Sequence, residues 1–309
     1  MNPAEPDDVA TTRDPDPSLP ATDPEQSDSA RVGVGVNQVE LHYGAATDVG
    51  LVRETNEDAY LADPPVFVVA DGMGGHDGGD IASRIVVEEF GRLADVGYDP
   101  RRGSHVVTAT LRACQRRLEE YGDTHRGSDG GRWQGGTTAV VALLVEEEDG
   151  PRWLLANLGD SRIYRFTEGA LHRVSVDHSL VQELVDEGSI TREEMGTHPA
   201  RHVVTRALGG PDRADADYFL LPLPRAERIL LCSDGITEMI DDEAVATIVG
   251  EAVDPRDAAD RLVAEAVRAG GRDNATAVVV DVMGLESDRA YDSERQRVSL
   301  ELKLGAPPE

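Results

Sequence analysis

The apolar positions of this 309-residue chain follow two periods. Short runs rich in β-branched residues, from Val66 to Ala70, Thr138 to Val145, Trp153 to Asn157, Arg162 to Phe166, Ile229 to Cys232 and Thr276 to Val282, predict strands. Helical spacing appears instead at Ile81, Ile85, Val86 and on to Leu93, then at Val106, Val107, Leu111 and Leu118, and late in the chain at Ala258, Leu262, Val263 and Ala266. Two start signals sharpen these helices. Asp254-Pro255 reads as an N-cap followed by proline at the first helical position, and Thr191 with Glu194 reads as a capping box opening a short helix. Strands and paired helices come in blocks, which favours an α+β arrangement of sheet layers flanked by helices over a wheel of βαβ units.

The two ends differ in kind from this pattern. Residues 1–38 hold six prolines, eight acidic residues, two arginines and no aromatic residue. Such a segment buries too little apolar surface to offset chain entropy, so a disordered acidic tail is expected there. The charged stretch 285–309, ending GAPPE, reads as a second, frayed tail, which leaves one folded domain over 39–284. No apolar run approaches the roughly 20 residues that span a bilayer, and the N-terminal tail lacks the apolar centre of a signal peptide, so a cytoplasmic protein without membrane contact is expected. Cys114 and Cys232 lie far apart and outside any CxxC, as small buried hydrophobes would, and give neither a zinc site nor a disulfide framework. The formal charge of −29, with Lys303 as the single lysine, disfavours nucleic acid as a partner. The same excess fits either a salt-rich cytoplasm or a merely acidic protein whose arginines reflect codon bias.

Charge changes the picture most where carboxylates meet strands. The segment VVADGMGGHDGGD, Val68 to Asp80, drives an apolar run into Asp71-Gly72. Alone this is a turn signal, and it is not an EF-hand, since Met73 and Gly75 stand where a calcium loop needs oxygen donors. The device recurs, however. ILLCSDG ends in Asp234-Gly235, WLLANLGDSR carries Asp160 past the end of a third run, GGRDNATAVVV sets Asp273 just before a fourth, and RETNED places Glu57 and Asp58 at another strand entrance. Carboxylates at equivalent ends of neighbouring strands can converge on one point, which ordinary turns have no reason to do. Crowding them raises their pKa values and costs stability unless positive charge is supplied, and oxygen-only donors suit hard cations such as Mg²⁺ and Mn²⁺. Gly72, without a Cβ, would let its carbonyl approach such an ion, and Arg53 offers a planar fork for an anion, most naturally phosphate. Together these residues point to metal-assisted hydrolysis of a phosphate ester.

These stretches, with TDVGLVRETNEDAY, GGTTAVV and SVDHSLVQELVDEGSITREEMGTHPARHVVTRALGG, resemble in order the motifs of the metal-dependent protein phosphatases, the PPM or type 2C family, in its bacterial style, from about Leu41 to Met283. The resemblance implies a four-layer α/β/β/α sandwich of two antiparallel sheets flanked by helices. It also implies hydrolysis of phosphoserine and phosphothreonine in proteins by a water bridging two Mn²⁺ or Mg²⁺ ions, with a third, weaker ion beside them. It carries the bridging role to Asp71 and a carbonyl ligand to Gly72. Asp234 and Asp273 would hold one ion, Glu57 with Asp58 in support would serve the other, and Asp160 with Asp234 the third. Arg53 falls where the family binds the substrate phosphate, and 186–209 looks like a flap beside the site. No protein nucleophile is implied, in keeping with the lack of a Cys-x5-Arg loop and of DxDx(T/V). Met73 stands where eukaryotic members carry a histidine, which leaves protonation of the leaving group to metal-bound water.

The implied partners are phosphorylated proteins, with a cognate serine/threonine kinase and its substrates among them, and the chain is expected to act as a monomer. Two other readings stay open: a regulatory phosphatase of an anti-anti-sigma-type pathway, and a non-catalytic scaffold or sensor of the same fold, which the presence of Asp71, Asp234 and Asp273 speaks against. His202, on the expected flap, reads either as a neighbour of the third ion or as a plain surface histidine. His76 reads as a loop residue, and Trp133 and Trp153 as packing residues.

Overall fold

The computed structural model describes residues 28–35, 37–74, 78–125, 133–210, 215–223 and 228–287. In chain order the strands are β1 (Asp28–Val34), β2 (Asn37–Asp48), β3 (Ala59–Asp63), β4 (Val66–Ala70), β5 (Gly72–Met73), β6 (Gly136–Thr137), β7 (Ala139–Glu147), β8 (Gly150–Leu158), β9 (Arg162–Thr167), β10 (Ala170–Arg173), β11 (Asp217–Pro222), β12 (Arg228–Cys232) and β13 (Ala275–Ser287). The helices are α1 (Gly79–Val96), α2 (Gly103–Thr124), α3 (Leu180–Asp186), α4 (Arg192–Met195), α5 (Asp234–Thr237), α6 (Asp242–Glu251) and α7 (Pro255–Arg268).

Two antiparallel sheets face each other, one in the order β1-β2-β13-β12-β9-β10 and one in the order β11-β8-β7-β4-β3. Alternation along the strands builds three apolar layers. Phe67 and Val69 of β4 and Val140, Ala142 and Leu144 of β7 point between the sheets, where they meet Ile229 and Leu231 of β12 and Val278 and Val280 of β13. Val66, Val68 and Ala70 point the other way, against Ala82, Val86 and Phe90 of α1 and Val107 of α2. On the far side, Leu230, Cys232, Ala277 and Val279 pack on Val245 of α6 and Leu262 and Ala266 of α7. The expected helix/sheet/sheet/helix sandwich is what forms. Because both faces of the central strands are covered, these strands read as continuous apolar runs, and each fully buried Val, Leu or Phe contributes about 1.5–3 kcal/mol.

The start signals hold in detail. Asp254 caps α7 through its side chain, which accepts from the amides of Arg256 and Asp257, with Pro255 at the first position. Thr191 and Glu194 form the reciprocal capping box of α4. Cys114 and Cys232 are buried free thiols, and Trp133 and Trp153 are buried as packing residues.

The expected tail boundaries need correction. Residues 28–34 form β1, paired in full register with β2 from Asn37 to Tyr43, so the ordered domain starts eleven residues before the expected position 39. Only Val34 of β1 is buried, so its order comes from the backbone ladder rather than from an apolar face, a contribution that composition does not reveal. At the other end β13 continues to Ser287, past the expected end at 284, across a register shift between Val282 and Gly284. Residues 1–27 and 288–309, and His76, lie outside the described residues.

Candidate metal centre

Strand ends bring the acidic residues together. Asp71 follows β4, Asp160 follows β8, Asp234 follows β12 and opens α5, Asp273 precedes β13, and Glu57 precedes β3. All five, with Gly72 and Arg53, line one cavity of ≈ 620 Å³. Asp58 stands behind Glu57 and is not part of that lining.

The backbone around these groups is tightly fixed. Asp71 donates its amide to Thr138 Oγ1 (3.0 Å), and its carbonyl accepts from the Thr138 amide (2.9 Å) and from Thr137 Oγ1 (3.0 Å). Gly72 is glycine for a packing reason that the sequence did not expose. A Cβ there would lie 2.2 Å from the Gly79 carbonyl oxygen and 2.5 Å from that of Glu57, so the backbones of Gly79 and Glu57 leave no room for a side chain. Gly159, ahead of Asp160, has φ +112°, and a Cβ would meet Thr138 Cγ2 at 2.5 Å. Its amide donates to His178 Nδ1 (3.2 Å), and the His178 amide bonds back to its carbonyl (2.9 Å). Since Nδ1 accepts, the ring proton sits on Nε2, facing Asp217 Oδ2 at 3.2 Å, and burial holds the imidazole pKa below its usual value.

Asn274 is the staple of the site. Its Oδ1 accepts the Glu57 amide (2.8 Å), while its Nδ2 donates to the carbonyls of Val49 and Thr55 (both 3.0 Å), so one side chain holds the Arg53–Glu57 loop against the Asp273 turn. Asp58 closes a hydroxyl chain. Asn56 Nδ2 donates to Thr47 Oγ1 (2.9 Å), Thr47 to Thr276 Oγ1 (2.7 Å), and Thr276 to Asp58 Oδ2 (2.6 Å), with Ser233 Oγ as a second donor at 2.7 Å.

The electrostatics are those of uncompensated negative charge. Burial, then the neighbouring Asp234, Asp58 and Asp160, pushes the Asp71 carboxyl well above the ordinary range. Burial, then Asp160, Glu238 and Asp273, does the same to Asp234, and the two side chains share a hydrogen bond. Asp160 rises to about 6 by burial and by Asp177, and Asp58 to about 6 by burial, with its two hydroxyl donors opposing. Glu57 is raised by burial as well, against the pull of Arg53. Among the described residues no three acidic, histidine or cysteine side chains close on one point as a finished ion cage. Instead Asp273 turns to Arg53, Nη2 to Oδ2 at 2.6 Å, and Asp71 pairs with Asp234. An all-oxygen donor set whose pKa values are raised by burial and by one another nevertheless fits hard divalent cations, which would relieve the repulsion that Arg53 relieves only in part.

Arg53 is therefore committed to Asp273 here rather than standing free for an anion. His202 lines the same cavity as the carboxylates and does not stand free. Its Nδ1 pairs with Glu238 Oε1 at 2.8 Å on the cavity rim and so ties the flap to α5. The expected flap, 186–209, is bounded by paired backbone, Ser179 with Val204 and Thr137 with Leu208. Sequence reasoning missed Glu238, Arg201 and Arg272, which line the cavity. Glu238 carried a signal, since it falls four residues after Asp234 on a helix face, whereas the two arginines look like any other arginine of the chain.

Known proteins match this chain in sequence and fold. The family profile described as Protein phosphatase 2C covers residues 53–274. The serine/threonine protein phosphatase PstP of Mycobacterium tuberculosis is 36% identical over 245 residues, 79% of this chain, and the chain spans only 45% of that protein's length. The serine/threonine phosphatase stp of Listeria monocytogenes is 31% identical, with 78% of this chain and 96% of the relative covered. Among solved structures, the catalytic domain of PstP in complex with two manganese ions superposes with a TM-score of 0.69 at 34% identity, covering 79% of this chain and 99% of that one.

Proposed function

The chain belongs to the protein phosphatase 2C family, and we propose that it hydrolyses phosphoserine and phosphothreonine in proteins with divalent metal ions held at the carboxylate cluster. One observation carries the reading: Glu57, Asp71, Gly72, Asp160, Asp234 and Asp273 meet at a single cavity that also holds Arg53. Asp71, Gly72 and Glu57 would serve one ion and Asp71, Asp234 and Asp273 another, while Asp160, beside Asp234, would serve a third, weaker one. Mn²⁺ and Mg²⁺ both fit the donors, and when bound they supply the charge that acidifies a water and stabilises the phosphoryl oxygens.

The protein's own part is placement. Asn274 and the hydroxyl chain to Asp58 hold Glu57 and Arg53 in register with Asp273. Arg53 would offer its guanidinium fork to two phosphoryl oxygens where Asp273 serves a cation instead of pairing with it. The flap, tied down by His202 and Glu238, covers one side of the cavity.

A phosphatase implies an opposing serine/threonine kinase, because the ester it removes must first be made. Among the described residues no helix is long and apolar enough to cross a membrane, and the two free buried thiols accord with a cytoplasmic setting. The test is hydrolysis of p-nitrophenyl phosphate and a phosphothreonine peptide with Mn²⁺ or Mg²⁺. Turnover should require the metal and vanish in Asp234→Asn. Full turnover in excess EDTA would refute the reading.

A further inference from the structure

Beside the catalytic cavity lies a second one of ≈ 370 Å³, sharing Asp160, Asp234 and Glu238 as its border. Five arginines stand in its wall, in a chain with 59 acidic residues against 30 basic ones. Two are partly neutralised. Arg162 grips Asp177 at 2.9–3.2 Å through Nε and Nη2, and Arg173 pairs with the same carboxylate, so one anion answers two cations. The other three, Arg192, Arg201 and Arg272, have no carboxylate at ion-pair distance among the described residues, although arginines elsewhere, such as Arg117 with Glu88 and Glu89 and Arg228 with Asp281, are paired. Other arginines, such as Arg112 and Arg116, also lack an ion pair among the described residues, but those stand apart on an exposed helix face, whereas these three gather around one cavity. The three also come from two sides, Arg192 and Arg201 from the flap and Arg272 from the turn before β13.

We propose that this cavity is a subsite for a second anionic group of the substrate, a phosphoryl or a carboxylate, carried close to the phosphoserine or phosphothreonine that enters the metal centre. Taken as a sphere the cavity is roughly 9 Å across, which an extended peptide crosses in about three residues at ~3.3 Å each. Planar guanidinium forks suit either anion, and an anion held between Arg192 and Arg272 would bridge flap and sheet, favouring binding over turnover. The proposal rests on the phosphatase reading and adds a substrate preference to it.

The experiment uses the full chain with saturating Mn²⁺ and phosphothreonine peptides that differ only two residues from the phosphothreonine, on either side, where they carry Gln, Glu or phosphoserine. The charged peptides should exceed the Gln peptide by about tenfold in kcat/KM, mainly through KM, the order that two or three exposed guanidinium pairs supply. The advantage should shrink with added KCl and fall to within about twofold in the Arg192→Gln/Arg272→Gln variant. Reading the ratio within each protein cancels any general loss of activity. A gain with phosphoserine alone assigns the site to phosphoryl groups, and a gain with both assigns it to anions in general. Equal kcat/KM for all peptides in the parent protein, or an advantage undiminished in the variant, overturns the subsite while hydrolysis of the Gln peptide leaves the phosphatase reading standing. Failure to hydrolyse any peptide overturns both.

Discussion

Replacing Asp58 with asparagine should make the metal-free protein more stable and the enzyme worse. The Asp58 carboxylate accepts from Ser233 and Thr276 at 2.7 and 2.6 Å, bonds that an amide oxygen can keep, so the substitution removes charge more than contacts. Burial, with Asp273 and Glu57 nearby, lifts its pKa from 3.8 to about 6. About two units at 1.36 kcal/mol each give ~3 kcal/mol, and halving for the partial exposure of the residue leaves on the order of 1.5 kcal/mol. The folded carboxyl holds its proton more tightly than the unfolded one. Its contribution is therefore intact below about pH 4 and lost as the pH climbs through about 6. Urea unfolding in EDTA at pH 5 and pH 7.5 measures this. The parent protein should lose stability between the two, and Asp58→Asn should lose less by that amount. Saturating Mn²⁺ should erase the advantage, because bound cations favour the carboxylate, and kcat/KM should fall by about 10–100-fold, the usual effect of disturbing a group behind a metal ligand. An Asp58→Asn protein less stable than its parent in EDTA at pH 7.5, or with the same pH slope, would refute the reasoning.

Other outcomes follow from the same geometry. Arg53→Ala should raise KM for small phosphoesters with a smaller loss in kcat, and Mn²⁺ affinity measured by titration calorimetry should be unchanged or tighter, since Asp273 loses a competing cation; loss of Mn²⁺ binding would mean that Arg53 builds the metal site. Asn274→Ala removes three hydrogen bonds, so ~3 kcal/mol of stability should go at about 1 kcal/mol each, together with most activity; an unchanged melting curve would show that the 49–57 loop holds itself. The melting temperature should rise from ~0.1 M to ~2 M KCl as the screening length falls from about 10 Å to below about 3 Å, and a flat or falling curve would discard self-repulsion as a destabilising force in this chain.

Much of this arrangement was legible in the sequence. β4, β7, β8, β12 and β13 were readable because doubly covered strands are largely apolar, β9 from its short run of Ile163, Tyr164 and Phe166, and α1, α2 and α7 because each buries one stripe. The acidic ligand candidates announced themselves by interrupting those runs at their ends. What escaped were elements whose order is borrowed. β1 and β11 are edge strands with little apolar content of their own facing inward, and α5 is a single turn held by the strand before it. Asn274, Arg201 and Arg272 escaped for a related reason, in that their roles depend on which loops lie opposite, and local pattern carries no trace of that. The commitment of Arg53 to Asp273 was invisible too, since 220 residues separate the pair.

The strand β1 has a practical consequence. Its seven residues occupy the outer backbone groups of β2 from Asn37 to Tyr43. A protein trimmed after residue 38, where composition suggests that a dispensable tail ends, would carry an open ladder on its rim beside Val39 and Leu41, two of its most buried residues. Bare rims of that kind recruit a second copy and then a third, and precipitation follows. The stretch from Asp28 to Val34 contributes almost nothing to the interior, yet it serves as the selvedge that keeps the woven edge from catching on its neighbours.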